Sequence, residues 1–158
     1  MDKTLFDFLE KNKIKFIEHK HPAVFTVEES LKVKNNIPGL HCKCLFLKDD
    51  KNKFYLIAME AYKRADIKSL RKEFNVGKLH FASPEELKFH LNVSPGSVSI
   101  FAMIYAKDVN LIIDEVVWNA DIAGFHPNIN TSTLEIHKVD LRKFISSLKV
   151  NPHILKIE

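Results

Sequence analysis

The residues best equipped for chemistry in this chain sit in short runs: His19-Lys20-His21, His41-Cys42-Lys43-Cys44, Pro95-Gly96-Ser97 and His126-Pro127. Imidazole and thiolate are the usual ligands of zinc, so the first two runs raise the question of a metal centre. Their spacing argues against one. Zinc ligand pairs are commonly separated by about two to four residues, whereas the pairs here bracket a single lysine whose charge opposes a cation. No metal or other cofactor is expected. Ser97 follows a glycine but lacks the second glycine of a nucleophile elbow, and neither Gly-x-Gly-x-x-Gly nor a Walker pattern occurs. The usual signatures of nucleotide binding and serine hydrolysis are therefore missing.

Lys43 lies in an otherwise apolar segment, where an ammonium must reach solvent, find a partner or line a pocket. An outward-facing strand lysine and a site lysine both satisfy the alternation of a strand. His126 carries a similar ambiguity, between a turn histidine that caps the backbone and one that serves a pocket. Cys42 and Cys44 share a face of a strand without the geometry of an easy disulfide, which excludes a disulfide scaffold.

The elements that must position these residues follow from local pattern. Leu5, Phe8 and Leu9 recur at helical spacing up to Asn12 and Lys13, and Phe16 to His19 reads as a short strand. Thr26 with Glu29 forms a capping box that starts a helix from about Val27 to Val33, broken by Asn35 to Gly39. Lys43 to Lys48 and Phe54 to Met59, joined by an acidic turn, predict a β-hairpin. Asp66 caps a helix through Leu70 and Phe74, with Lys68, Arg71 and Lys72 on its exposed side. Ser83-Pro84-Glu85-Glu86 opens another, through Leu91. After the turn cluster Asn92 to Ser97, strands are expected at Val98 to Tyr105, Leu111 to Asp114 and Leu134 to His137. Asp140 should then cap a final helix carrying Leu141, Phe144, Ile145 and Leu148. Strands interleaved with short helices, and no repeat or linker, argue for one mixed α/β domain over 1–158.

Composition bounds the class. The chain has 158 residues, 46% apolar and 28% charged, with 12 phenylalanines, which fits one folded domain and excludes disorder. Its longest uninterrupted apolar stretch, Ile100 to Ala106, is far short of the roughly 20 residues of a membrane span. Without a secretory pattern at Met1 to Asp7, the cytoplasm is the expected compartment. Residues 1–79 carry 17 Lys and Arg against 11 acids, whereas 80–158 carry 7 against 9. Such asymmetry suits a polyanion-binding surface, and also a merely lysine-rich chain.

Four blocks in order carry a resemblance: His21-Pro22-Ala23-Val24-Phe25-Thr26-Val27-Glu28-Glu29, His41 to Asp49, Ser94-Pro95-Gly96-Ser97-Val98-Ser99 and Phe125-His126-Pro127. In this combination the chain resembles the YbaK-like aminoacyl-tRNA deacylases, and within them the free-standing prolyl-tRNA editing proteins. The resemblance implies a mixed sheet or barrel-like core flanked by short helices. It implies hydrolysis, in trans, of the ester joining a wrong amino acid, typically alanine, to a proline tRNA, alone or docked on prolyl-tRNA synthetase. Lys43 matches the family's essential lysine and His126 a histidine at the pocket. Gly96, Ser97, Val98, Ser99 and Ile100 match a Gly-x-x-x-Pro loop that holds the aminoacyl end, with Thr26 and Cys44 expected beside it. Ile100 stands where that loop has proline, and Cys44 where asparagine usually follows the lysine. Lys63, Arg64, Lys68, Arg71 and Lys72 are candidates for the acceptor stem, or simply a solvated surface. A catalytically silent tRNA-binding or synthetase-associated module of the same fold, and a deacylase of different preference, are the alternatives.

Overall fold

The computed structural model describes residues 1–24 and 26–157; Phe25, inside the first motif block, lies outside them. The chain opens with helix α1 (Lys3–Lys11), whose N-cap Asp2 accepts from the Leu5 amide, followed by strand β1 (Ile17–Lys20). Helix α2 (Val27–Asn35) starts where Thr26 Oγ1 accepts from the Glu29 amide at 3.1 Å, one arm of the expected capping box. The hairpin β2 (Leu40–Asp49) and β3 (Phe54–Glu60) is longer than the apolar pattern implies. The buried Asp49 carboxylate closes its turn by accepting from the Lys51 and Lys53 amides and the Tyr55 hydroxyl.

Helix α3 (Ile67–Phe74) is capped by Asp66 and ends at Asn75 in the left-handed conformation. Strand β4 (Leu79–Phe81) leads to helix α4 (Pro84–Leu91), where Ser83 and Glu86 make both arms of a capping box. The region from Val98 differs from the sequence expectation. Ile100–Tyr105 is a 3₁₀ helix, not a strand, with the Ser99 hydroxyl accepting from the Phe101 amide at 3.2 Å. Ile100, Phe101, Ala102 and Met103 are all buried, and a run apolar on every side carries no period that separates helix from strand.

Strand β5 (Val109–Asp114), helix α5 (Glu115–Asn119), strands β6 (Ile122–Phe125) and β7 (Ser132–His137), helix α6 (Lys138–Ser147) and strand β8 (His153–Leu155) complete the chain. Asp140 does not cap α6. The N-cap is His137, without a side-chain bond, and the Asp140 carboxylate accepts from the Lys15 amide at 3.0 Å, fastening α6 to the loop after α1.

Among the described residues, eight strands form one mixed sheet ordered β1-β7-β6-β2-β3-β5-β8, with β4 on β2. Strand β2 organises it. One edge pairs with β3 from Cys42 to Lys48; the other pairs with β6 at Leu40 and His41, then with β4 from Leu47 to Asp49. Between those two partners, β2 has no strand neighbour on its second edge. Gly39 makes the first junction possible: its φ is +95°, and a Cβ there would lie 2.5 Å from the Ile122 carbonyl oxygen.

Both faces of the central strands are covered, which is why Phe54 to Met59 is apolar without alternation. One face packs Phe46, Leu56, Leu111 and Ile113 against Phe101, Phe125 and Phe144; the other packs Leu47, Ile57, Met59 and Ile112 against Leu70 of α3. No helix among the described residues is long and apolar enough to cross a membrane.

Candidate active site

A cavity of about 370 Å³ opens at the gap in the second edge of β2. Four consecutive strand residues, His41, Cys42, Lys43 and Cys44, line it, joined by Thr26 and Ser30 of the α2 segment, Tyr62, Gly96, Val98 and His126. A strand that meets a cavity with its face can offer only alternate residues; four in a row reach this one because it lies at an edge.

Lys43 pairs with Met59 in the hairpin, and its half-buried ammonium has a pKa lowered by loss of hydration. Among the described residues it makes no ion pair, and no carboxylate lines the cavity. It is therefore a cation available to a ligand. Cys42 and Cys44 are free thiols, and burial pushes Cys42 up to about 12 and Cys44 well above the usual thiol range. At neutral pH neither is a thiolate nucleophile. The Ile100 amide faces the Cys44 sulfur and offsets part of that rise.

His126 Nδ1 donates to the Ser132 carbonyl at 2.9 Å, so the neutral ring keeps Nε2 as an acceptor. Burial lowers its pKa, the Ser132 bond opposes that, and nearby His21 lowers it further. The His126 ring lies 6.1 Å from that of His21 and 6.4 Å from that of His41. His21 is held in turn by the Pro22 carbonyl and the Thr133 hydroxyl, both at 2.9 Å. The Tyr62 ring stacks on His41, and its hydroxyl meets the Ser30 hydroxyl at 2.9 Å, bridging α2 to the loop after β3.

The structure brings Lys43, Thr26, Cys44, Gly96, Val98 and His126 to one cavity. It does not bring Ser97, Ser99 or Ile100. Ser99 is buried as the cap of the 3₁₀ helix, Ile100 is fully buried in the core, and the Ser97 amide closes a turn onto the Ser94 carbonyl. His41, Ser30 and Tyr62 were missed. Proximity to Lys43 could have suggested His41; nothing local marks the other two.

Of the proposed stem cations, Lys63 is committed elsewhere: its ammonium is 3.5 Å from Oδ2 of Asp114, a fully buried carboxylate. Arg64, Lys68 and Lys72 are exposed, and Arg71 donates to the Gly77 carbonyl at 3.2 Å. No residue of α3 lines the cavity, so its cations do not border it.

The fold is thus a mixed sheet flanked by helices, and its cavity combines a lysine unpaired among the described residues with a histidine whose Nε2 is free to accept, and no carboxylate. Residues 21–144 match the aminoacyl-tRNA editing domain family, and the chain belongs to it. It is 29% identical over 142 residues to the prolyl-tRNA editing protein ProX of Acetoanaerobium sticklandii, covering 88% of this chain and 87% of that one. It is 30% identical over 145 residues to prolyl-tRNA synthetase associated domain-containing protein 1 of Bos taurus, covering 88% and 85%. The crystal structure of a candidate trans-editing enzyme for prolyl-tRNA synthetase superposes with a TM-score of 0.74 at 15% identity, over 100% of this chain and 98% of that one.

Proposed function

We propose that the protein is a trans-acting deacylase that hydrolyses the ester of mischarged tRNA, with alanyl-tRNA(Pro) as its preferred substrate. The observation that carries this reading is Lys43, a partly desolvated cation without an ion-pair partner, on the wall of a carboxylate-free cavity. Family membership and the prolyl-tRNA names of its relatives support the substrate class.

Water adds to the ester carbonyl, negative charge develops on the carbonyl oxygen, and the terminal ribose oxygen departs with a proton, giving free amino acid and tRNA. An aminoacyl ester is already activated, so positioning and charge stabilisation suffice. Lys43 offers a point charge to the carbonyl region or the terminal phosphate. The Ser97 amide is spent in its turn, so the Gly96 and Val98 amides, bonded to no described group, are the loop's donors for the oxyanion. His126, neutral and with Nε2 free to accept, positions the ribose hydroxyl or the water, and the substrate's own hydroxyl relays the water's proton to the departing ribose oxygen.

A cavity of about 370 Å³ lies at the small end of ligand pockets, and apolar Val24, Val98 and Cys44 favour alanine over serine by contact and over proline by exclusion. Arg64, Lys68, Arg71 and Lys72 are the proposed contacts for stem phosphates farther off. The test is incubation of purified protein with a panel of mischarged tRNAs and free aminoacyl esters, following release of the amino acid. Fastest loss from alanyl-tRNA(Pro) is expected. Equal cleavage of prolyl-tRNA(Pro) would refute steric exclusion, and cleavage of no ester would make the protein a silent binding module.

A further inference from the structure

A second cavity, of about 520 Å³, lies between β1 and α2, walled by the run from Glu18 to Pro22 on one side and by Lys32, Val33 and Asn36 on the other. Nothing in the deacylation chemistry uses it. It is the immediate neighbour of the ester cavity: His21 on its wall is 6.1 Å from His126 on the other, and α2 lends Ser30 to one and Lys32 to the next. We infer that this cavity holds the nucleotide preceding the terminal adenosine of the aminoacylated strand, with Lys20 and Lys32 on its phosphate. The inference rests on the deacylase reading above.

The chemistry of the walls matches a single-stranded nucleotide. Lys20 and Lys32 are both exposed, and among the described residues neither is in an ion pair. Of the acids here, Glu18 lines the cleft and is engaged by the Ser132 hydroxyl at 3.0 Å and the Met1 ammonium at 3.8 Å, while Glu135 faces His19 at 2.9 Å. Two unpaired ammonium groups against one carboxylate, itself 3.8 Å from the Met1 ammonium, leave the cleft net positive and favour an anion. The cleft also has a floor for a base, since Pro22, Val33 and the buried Ile37 are apolar and the His21 ring offers a flat face. Asn36 spends its side-chain amide nitrogen on the Lys32 carbonyl at 3.2 Å, leaving Oδ1 to accept from an exocyclic base amine. A strand whose 3′ end enters the first cavity can place its preceding residue in the adjoining one, across α2.

The test compares two synthetic substrates, alanyl-adenosine and an alanyl trinucleotide ending cytidine-cytidine-adenosine, with wild type, Lys20→Ala/Lys32→Ala and Lys20→Arg/Lys32→Arg. The wild type is expected to prefer the trinucleotide roughly tenfold or more in kcat/KM, expressed mainly in KM, as charge-assisted phosphate contacts predict. The alanine pair should lose that preference and the arginine pair keep it. A wild type with no preference, or an alanine pair that retains it, overturns the nucleotide subsite while leaving deacylation standing. Failure of the wild type to hydrolyse either ester overturns the deacylase reading itself.

Discussion

Lys43→Met separates the proposed function of this residue from its place in the fold. Methionine keeps much of the side-chain length and removes only the charge, on a strand whose pairing with Met59 is main-chain. Losing a cation that acts on the developing oxyanion costs about 3 kcal/mol or more of transition-state stabilisation, at least a hundredfold in rate. Stability should move the other way. Burial lowers the Lys43 pKa, so the folded protein holds this proton less tightly than the unfolded chain. Between the lowered value and the ordinary one of about 10.4 the unfolded state binds more protons and stability rises with pH; below that window the charge costs folding its full amount. Neutral methionine relieves that cost, so Tm should hold or increase at neutral pH. The assay is single-turnover deacylation of alanyl-tRNA(Pro) beside calorimetric Tm. A folded Lys43→Met protein within a few-fold of wild-type rate would refute the role assigned here, and a fall in Tm would refute the desolvation argument.

The remaining predictions concern the walls. Because burial lowers the His126 pKa, the acid limb of kcat/KM should lie below about 6.5 and vanish in His126→Asn; a limb above that value contradicts a neutral acceptor. Cys44→Asn and Ile100→Pro should be non-additive in the alanine-to-serine rate ratio by about 0.5 kcal/mol or more, since Ile100→Pro deletes the amide that faces Cys44; strict additivity in a double-mutant cycle would show the two sites independent. Gly39→Ala should lower stability by about 2 kcal/mol or more, through both the positive φ and the clash with Ile122, and an unchanged Tm would show that β2 and β6 can separate freely.

Much of the frame was legible because it is written in local chemistry. The β2-β3 hairpin announces itself through two apolar runs and the acidic turn that Asp49 closes, and α3 and α4 through Asp66 and the Ser83-Glu86 box. Legibility fails where a residue answers to a distant one. Asp140 looks like a cap and instead bonds Lys15, 125 residues away in sequence, and β4 and β8 are three-residue strands defined by their neighbours. At the site, Lys43 and His126 were weak signals alone and persuasive only in order with the loop and the His21 block. The same loop misled at Ser97, Ser99 and Ile100, because adjacency does not say which side chains turn inward. The Ser30-Tyr62 bridge spans α2 and the loop after β3 and leaves no mark in either segment.

The interruption in the second edge of β2 gives the cavity a wall that mutation cannot rewrite. The His41 carbonyl accepts from Ala61 on the β3 side, so antiparallel alternation turns the main-chain groups of even-numbered residues the other way. The Phe46 carbonyl shows it by accepting from the Ala82 amide at 3.0 Å. Cys44 follows the same parity and stands in the stretch of β2 between β6 and β4 that no described strand covers. Peptide groups are the same whatever side chains flank them. On the proposed reading, substitutions around the cavity would retune which amino acid fits while any contact made through the main chain persists, a division of labour under which side chains can drift without loss of the reaction.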